Sequence, residues 1–370
     1  MPKSKIVFLV STLGRTGPTS QLYNLVSFID RFEFEVTVIT LSQEPSASRW
    51  NEFHKLGIDV LCLNSGRFTS FLTARRRLLY FVHSIKPDII HSQGIRADYL
   101  NSRLKGVVKT RIATQRNNPS IDYQMLFGRI TGLFLSRIHL YSLSRIPNVV
   151  TCSSALSKDN KAFGLSTRYI HNGVDNNKGQ RLVSNKDKTD SRRKLQLPIH
   201  RKLFIWIAPF IPRKMAEVAI SAFLKLDSPD AGQLCMLGDG PTLNKCKRLA
   251  NRSPNIVFRG HVDNVDDYLM AADVFVSSSY SEGLPNSVLE ALAWGIPTIL
   301  SDIPAHREIL EIDSKSGVMY PVGESNALVE SILNFSFTYE SKVAAQNIVT
   351  QHLNSRVMAK HYQNLYKQIS

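Results

Sequence analysis

Short runs of β-branched and aromatic residues recur along this 370-residue chain, spaced widely enough for a helix between each. In the first half they read KIVFLVS, FEVTVIT, IDVLCL, PDIIHSQ, RIATQ and NVVTCSS; in the second, KLFIWIA, GQLCMLGDG, NIVFRG, DVFVSSS and PTILSD. Several are apolar at consecutive positions instead of alternating, so those strands must be covered on both faces. Strand, helix, strand in this order is the pattern of a parallel sheet between layers of helices. Two such series in a chain of this length imply an α/β protein with two doubly wound, Rossmann-like domains.

The series are separated by NNKGQRLVSNKDKTDSRRKLQLP, a polar and charged stretch with almost no apolar period. It reads as a linker or exposed loop. The expected division is therefore residues 1–180 for the first domain, 181–200 for the linker and 201–351 for the second domain. A helical pattern over about 352–370 can return to pack on the first domain.

The four cysteines, Cys62, Cys152, Cys235 and Cys246, form no CxxC pair and no cluster with histidine, which excludes a disulfide framework and a zinc site. A reducing, cytoplasmic setting follows. The opening MPKSKIVFLVSTLGRTG has lysines before an apolar run, but Ile6 to Val10 is too short for a signal-peptide core and reads as a first buried strand. No stretch approaches the length of a membrane span.

Residues 1–200 carry 30 Lys and Arg against 13 Asp and Glu, and residues 201–370 carry 16 against 17, so the net charge of +16 belongs to the first half. Such a half suits nucleic acid, an anionic membrane surface or a phosphorylated acceptor, and it also suits solubility alone. Within it, RFTSFLTARRRLLYFVHSIK places Phe68, Phe71, Leu72, Leu79, Val82 and Ile85 at helical spacing around Arg75 to Arg77. A basic amphipathic helix of this kind can lie on anionic lipid or pack on its own sheet.

Ligands of open parallel sheets bind outside the carboxyl ends of the strands, so the loops there are read first, and the cleft between two such domains is the natural active site. After the first strand, STLGRTGPTSQ sets Gly14 and Gly17 before a helix. That is the chemistry of an anion site at a helix start, and equally of an ordinary tight turn. After DVFVSSS, the stretch YSEGLPNSVLEALAWGIP holds Glu282 in the loop and Glu290 about one turn into the helix that begins at Asn286 and stops at Gly295. Amides at Asn286 and Ser287 suit a phosphate. Carboxylates on either side suit the vicinal hydroxyls of a ribose and a sugar, because each accepts two hydrogen bonds. The ligand that meets all three demands is a nucleotide sugar, while a glutamate in a first helical turn also complements the helix dipole without any ligand.

SYSEGLPNSVLEALAWGIP resembles the Glu-x7-Glu signature of retaining glycosyltransferases of family 4. PDIIHSQG, VVTCSSALS, IHNGVD, CMLGDGP, VFRGHVDNVDDYLMAADVFVSSS and SDIPAHREIL resemble family segments in the right order over nearly the whole chain. The resemblance implies a GT-B fold, with an N-terminal acceptor domain and a C-terminal donor domain facing across a cleft. It implies that Glu282 contacts the transferred sugar, that Glu290 holds the ribose, and that Gly283, Leu284, Pro285, Asn286 and Ser287 serve sugar and pyrophosphate through their backbone. Lys214, in IAPFIPRKM, matches the lysine that neutralises the donor diphosphate. Val262, Asn264 and Val265 match the loop that holds the base, and Gly17 the glycine loop near the sugar. The sequence departs from the family where Pro209 stands at the usual arginine, with Arg213 beside Lys214 as the alternative cation. It departs again where Gln93 follows His91 and Ser92, and where Arg116 and Asn117 stand at a frequent histidine. That variant is similar to members from bacterial surface-polysaccharide clusters.

Together these features lead to the following expectations. The catalytic set is Glu282, Lys214, Arg213 and Arg116, with Gly14, His91 and Asn117 on the acceptor side. The donor is a nucleotide sugar, most simply a UDP-sugar, and no metal or other cofactor is needed, since no Asp-x-Asp stands in a donor loop. The acceptor is a lipid-linked diphosphate glycan or a saccharide, reached on the inner face of the plasma membrane through the basic first half. The competing readings are a nucleotide-sugar epimerase or an inactive partner on the same fold. A nucleic-acid-binding protein is the third, and it finds no helix-turn-helix, zinc-finger or RRM pattern to support it.

Overall fold

The computed structural model describes residues 2–66, 71–175, 182–226 and 231–369. The chain divides into two compact units, residues 1–173 with 355–370 and residues 174–354.

In the first unit the strands are β1 (Ser4–Val10), β2 (Phe34–Thr40), β3 (Asp59–Cys62), β4 (Ile89–Gln93), β5 (Thr110–Gln115), β6 (Asn148–Thr151) and β7 (Arg168–Tyr169). The helices between them are α1 (Gly17–Ser27), α2 (Trp50–Lys55), α3 (Phe71–Ile85), α4 (Ile95–Ser102), α5 (Pro119–Phe127), α6 (Arg129–Ser144) and α7 (Ser154–Ala162). Among the described residues the sheet is parallel throughout, in the order β3-β2-β1-β4-β5-β6-β7. The pleat sends alternate residues of β1 to opposite cores. Ile6, Phe8 and Val10 join Leu22, Leu25 and Val26 of α1, whereas Val7 and Leu9 join Ala74, Leu78 and Val82 of α3. Both faces are thus covered, as the consecutive apolar run requires.

The second unit contains α8 (Asn185–Lys194), β8 (Leu203–Ile207), α9 (Ala216–Lys225), β9 (Gln233–Leu237), α10 (Leu243–Leu249), β10 (Ile256–Gly260), α11 (Val265–Ala271) and β11 (Val274–Ser277). It continues with α12 (Asn286–Ala293), β12 (Thr298–Ser301), α13 (Pro304–Leu310), β13 (Gly317–Tyr320), α14 (Ser325–Asn334) and α15 (Tyr339–Asn347). Its described strands are also all parallel, ordered β10-β9-β8-β11-β12-β13. The order reverses between β8 and β11, so the loops leaving these two strands flank the topological switch point, where such sheets take ligands.

The last helix, α16 (Ser355–Ile369), belongs to the first unit. Met358, Tyr362, Leu365 and Tyr366 enter the core shared by α1 and β1.

One expectation is corrected here. The stretch 181–200 is not a linker throughout: it carries α8, opened by a reciprocal cap between Ser184 and Asp187, while residues 176–181 lie outside the described ones. The anchor of α8 is ionic, which is why no apolar period announces it. Arg192 is buried, donating to the carbonyls of Ala271 and Arg201 and pairing with Asp273, which also takes Lys188 at 2.6 Å. In α3, of the six apolar positions read at helical spacing, Val82 is buried with Ala74 and Leu78 in the core against the sheet, and Leu79 and Ile85 are half-buried, which is the sheet-packing alternative for that helix. Phe68, part of the same reading, lies outside the described residues, as do the side chains of Phe71 and Leu72.

Candidate active site

The site of the second unit grows from the carboxyl ends of β8 and β11. After β8 the chain runs through Ala208 to Ile211 and makes a single 3-10 turn, Pro212–Lys214, then enters α9 through Met215 at φ 44°. Gly238, in the loop after β9, stands at φ +129°, and a Cβ there would lie 2.0 Å from the carbonyl oxygen of Ala208. Only glycine lets the two backbones approach so closely. The turn is also tied to the loop after β11. Ser278 Oγ donates to the Lys214 carbonyl at 3.0 Å, the Tyr280 amide donates to the Arg213 carbonyl at 2.8 Å, and Trp206 Nε1 donates to Ser278 Oγ at 3.1 Å.

These ties bring Glu282 onto the two cations. Its carboxylate accepts from Arg213 Nη1 at 2.7 Å, from Ser279 Oγ at 2.7 Å and from Lys214 Nζ. The Glu282 side chain is only 6% exposed. Burial alone would raise its pKa, but Lys214 and Arg213, with the hydrogen bonds of Lys214 and Ser279, hold it well below the usual carboxylate range. The cluster is therefore a buried carboxylate with two cations, one positive charge in excess.

Immediately after it, Gly283, Leu284 and Pro285 are buried and lead into α12, whose N-cap residue, Pro285, makes no side-chain cap. Asn286 and Ser287 are its first residues, and Glu290 stands half-buried one turn in. Val262 and Asn264 lie in the loop between β10 and α11, and Val265 is the first residue of α11. Asn264 Nδ2 donates to Asp267 at 2.8 Å, steadying that loop on its helix.

Support from below escaped the sequence reading. Ser301 Oγ donates to the Ser279 carbonyl at 2.6 Å, and the buried His306 ring bonds through Nδ1 to the Ser301 carbonyl at 2.7 Å. Burial lowers the His306 pKa to about 4 despite that bond, so the imidazole is neutral at pH 7. Ser279 stands in the serine run after β11, and Ser301 and His306 stand in SDIPAHREIL, but the letters of two separate segments do not show that one supports the other.

The family models match both units. The one described as "Glycosyltransferase Family 4" matches residues 16–178, and the one described as "Glycosyl transferases group 1" matches residues 201–336. The chain belongs to glycosyltransferase family 4. Among its relatives is the O-antigen biosynthesis glycosyltransferase WclY of Escherichia coli, 26% identical over 99% of this chain and 98% of that protein. The putative teichuronic acid biosynthesis glycosyltransferase TuaC of Bacillus subtilis is 38% identical, over 31% of this chain and only 28% of its own length. Among solved structures, Anabaena HepE in complex with UDP superposes with a TM-score of 0.81 at 17% identity, covering 98% of this chain and all of that one. The fold is GT-B.

The remaining predicted residues of this glycosyltransferase lie in its first unit. Gly14 follows β1 and forms an isolated antiparallel bridge with Ser48, and Gly17 is the first residue of α1, capped by Thr16. Arg116 follows β5 and is held by Gln93 at 3.0 Å through Nε and by Asn172 at 2.5 Å through Nη1. Gln93 thus orients Arg116. Asn117 is half-buried beside it, its carbonyl accepting from Gln115 Nε2 at 3.0 Å.

His91 is not an acceptor-side residue. It is completely buried, with Nδ1 bonded to Tyr366 OH at 2.8 Å and Nε2 to Thr114 Oγ1 at 2.7 Å. Desolvation and the nearby Arg116 lower its pKa to about 3, so it is a neutral structural group fastening α16 to the sheet.

Proposed function

We propose that this glycosyltransferase moves a hexosyl or N-acetylhexosaminyl group, with retention of configuration, from a UDP-sugar to a lipid-linked or saccharide acceptor in cell-surface polysaccharide or lipopolysaccharide assembly. The observation that carries this reading is the Glu282–Lys214–Arg213 cluster at the switch point of the second unit, beside the start of α12. Two cations share one carboxylate, so an arriving diphosphate meets charge that is already placed. Arg213 stands where it supplies the second cation that Pro209 withholds. Lys214 stabilises the departing diphosphate, Glu282 positions the sugar hydroxyls, Glu290 holds the ribose, and the backbone at Val262 to Val265 receives the base. Arg116, oriented by Gln93 and Asn172, is the cation of the first unit assigned to the catalytic set. No metal is required on this reading, because protein cations and helix amides answer the diphosphate.

UDP as the nucleotude part is supported by the UDP complex of HepE, and the polysaccharide setting by the names of WclY and TuaC. The enzyme then works at the inner face of the plasma membrane as a peripheral protein; no described helix is long and apolar enough to cross a membrane. A thermal-shift panel with UDP, GDP, ADP and CMP, each with and without magnesium, tests the donor. UDP at about a hundred times its dissociation constant adds roughly 2.7 kcal/mol. The expected result is a response to UDP that magnesium does not alter and that Glu290→Ala abolishes. A response to another nucleotide, or one that survives Glu290→Ala, overturns the assignment.

A further inference from the structure

Helix α6 presents to solvent the residues that a core helix normally buries. Its buried positions are Gly132, Ser136, His139, Ser142 and Leu143, of which only one is a large apolar residue. Its exposed positions include Ile130 at 87%, Phe134 at 64% and Tyr141 at 59%, together with Leu133, Arg137 and Arg145. At 3.6 residues per turn these six share an arc of roughly 120°. Leu126 and Phe127, at the end of α5, extend the exposed apolar surface.

The orientation is built in. Inward, His139 bridges Tyr123 OH at 2.8 Å and Asp98 at 2.8 Å, and Ser92 Oγ donates to the other Asp98 oxygen at 2.6 Å. A Cβ on Gly132 would stand 2.4 Å from the backbone of Gln124, so α5 and α6 touch closely there. Rolling α6 to hide Phe134 would strip Asp98 of its histidine and bury a carboxylate with a partner missing, which is strongly unfavourable. The apolar face is therefore fixed outward, and a contiguous face of this kind marks an interaction surface.

Charge selects the occupant. No acidic residue occurs from Tyr123 to Lys158, while Arg129, Arg137 and Arg145 all stand exposed on α6 or at its end. The first unit holds 26 Lys and Arg against 10 Asp and Glu, and the second holds 20 of each, so the whole net charge of +16 sits on the unit that bears this face. A second copy of the same face would bring arginine against arginine. We propose that the α5–α6 face docks on an anionic lipid bilayer, its aromatic and aliphatic side chains entering the interface while the arginines reach the headgroups. This surface is distinct from α3, whose Leu78 and Val82 are committed to the core. The inference deepens the lipid-linked acceptor proposed above and rests on it for its purpose.

The test is flotation of the full chain with phosphatidylcholine vesicles, with and without phosphatidylglycerol, at low and high salt. Binding is expected only with phosphatidylglycerol, and it should fall about tenfold or more in the pair Ile130→Ser with Phe134→Ser and in Arg137→Glu. Arg75→Glu with Arg76→Glu on α3 should bind within a few fold of the parent. Absence of binding, equal binding to neutral vesicles, or binding untouched by Phe134→Ser overturns the proposal. So does a dimer that Phe134→Ser dissociates without any vesicle effect, which would make the face a self-interface. The UDP thermal shift is recorded on every variant. A normal shift without vesicle binding defeats the docking surface alone, and vesicle binding without a shift defeats the donor reading alone.

Discussion

A carboxylate that already holds two cations competes with the ligand those cations are meant to bind. Glu282 takes both Lys214 and Arg213, so a diphosphate must share them with it. Replacing Glu282 with Gln leaves two nearly buried cations without their counter-charge, which destabilises the free protein by about 3 kcal/mol. The same loss frees their field for phosphate. Glu282→Gln is therefore expected to show a larger thermal shift with UDP than the parent while turning over at least about tenfold more slowly, a loss of about 1.4 kcal/mol of transition-state stabilisation. Lys214→Ala should lose both turnover and UDP response. A Glu282→Gln variant with an unchanged shift and normal rate would remove the carboxylate from the site. Because its pKa is depressed, its charge persists down through the usual carboxylate range, and any pH limb of activity above about pH 5 must come from another group. Glu282 and Glu290 were legible in the sequence because the loop after a strand and the helix that follows it set both carboxylates within one short run of letters. Lys214 was singled out only by the family resemblance. Ser279 and His306 were not legible, since their roles depend on contacts made through folding of separate segments.

Elements were legible where burial has a period and hidden where it is ionic, inverted or brief. β1 to β6 and β8 to β12 fall on the apolar runs, whereas β7 has only two residues, both exposed, and β13 opens on a glycine and is only partly buried, so neither leaves an apolar run. α8 was concealed by its ionic anchor, and α6 turns its apolar residues to solvent. The helical pattern of α16 was visible, but not the group that fastens it. His91, Thr114, Tyr362 and Tyr366 form one buried chain of hydrogen bonds across β4, β5 and α16. The sign of its pH dependence follows from the lowered pKa of His91. The unfolded imidazole takes its proton near 6.5 and the folded one only near 3, so the unfolded state binds more protons between these values. Stability is full above pH 6.5 and declines as pH falls toward 3, with His91 adding about 1.4 kcal/mol per pH unit. Substituting His91→Gln should lower stability at pH 7 and flatten this slope, measured as urea midpoints across the range. An unchanged slope would show that the ring is not the neutral tether described.

At the scale of the whole molecule, the two units divide charge and ligand chemistry between them. The first carries the net charge and the exposed α6 face; the second carries Lys214, Arg213, Glu282, Glu290 and the loop at Val262 to Val265. Hydrogen exchange separates these roles without any knowledge of the acceptor. UDP alone should protect amides at residues 208–215, 261–265 and 279–290, because those segments form the proposed donor site and the turn at Lys214 is tied to the loop after β11. The amides of α16 and β4 should keep their exchange rates, since His91 and Tyr366 are bonded whether or not nucleotide is present. Vesicles containing phosphatidylglycerol should do the opposite, slowing exchange in α5 and α6 and leaving 279–290 alone. Protection by UDP appearing first in the first unit would place the nucleotide there and reverse the assignment of the two halves. If both ligands acted on the same amides, the division between a lipid-facing unit and a nucleotide-binding unit would fail, although the glycosyltransferase fold would stand.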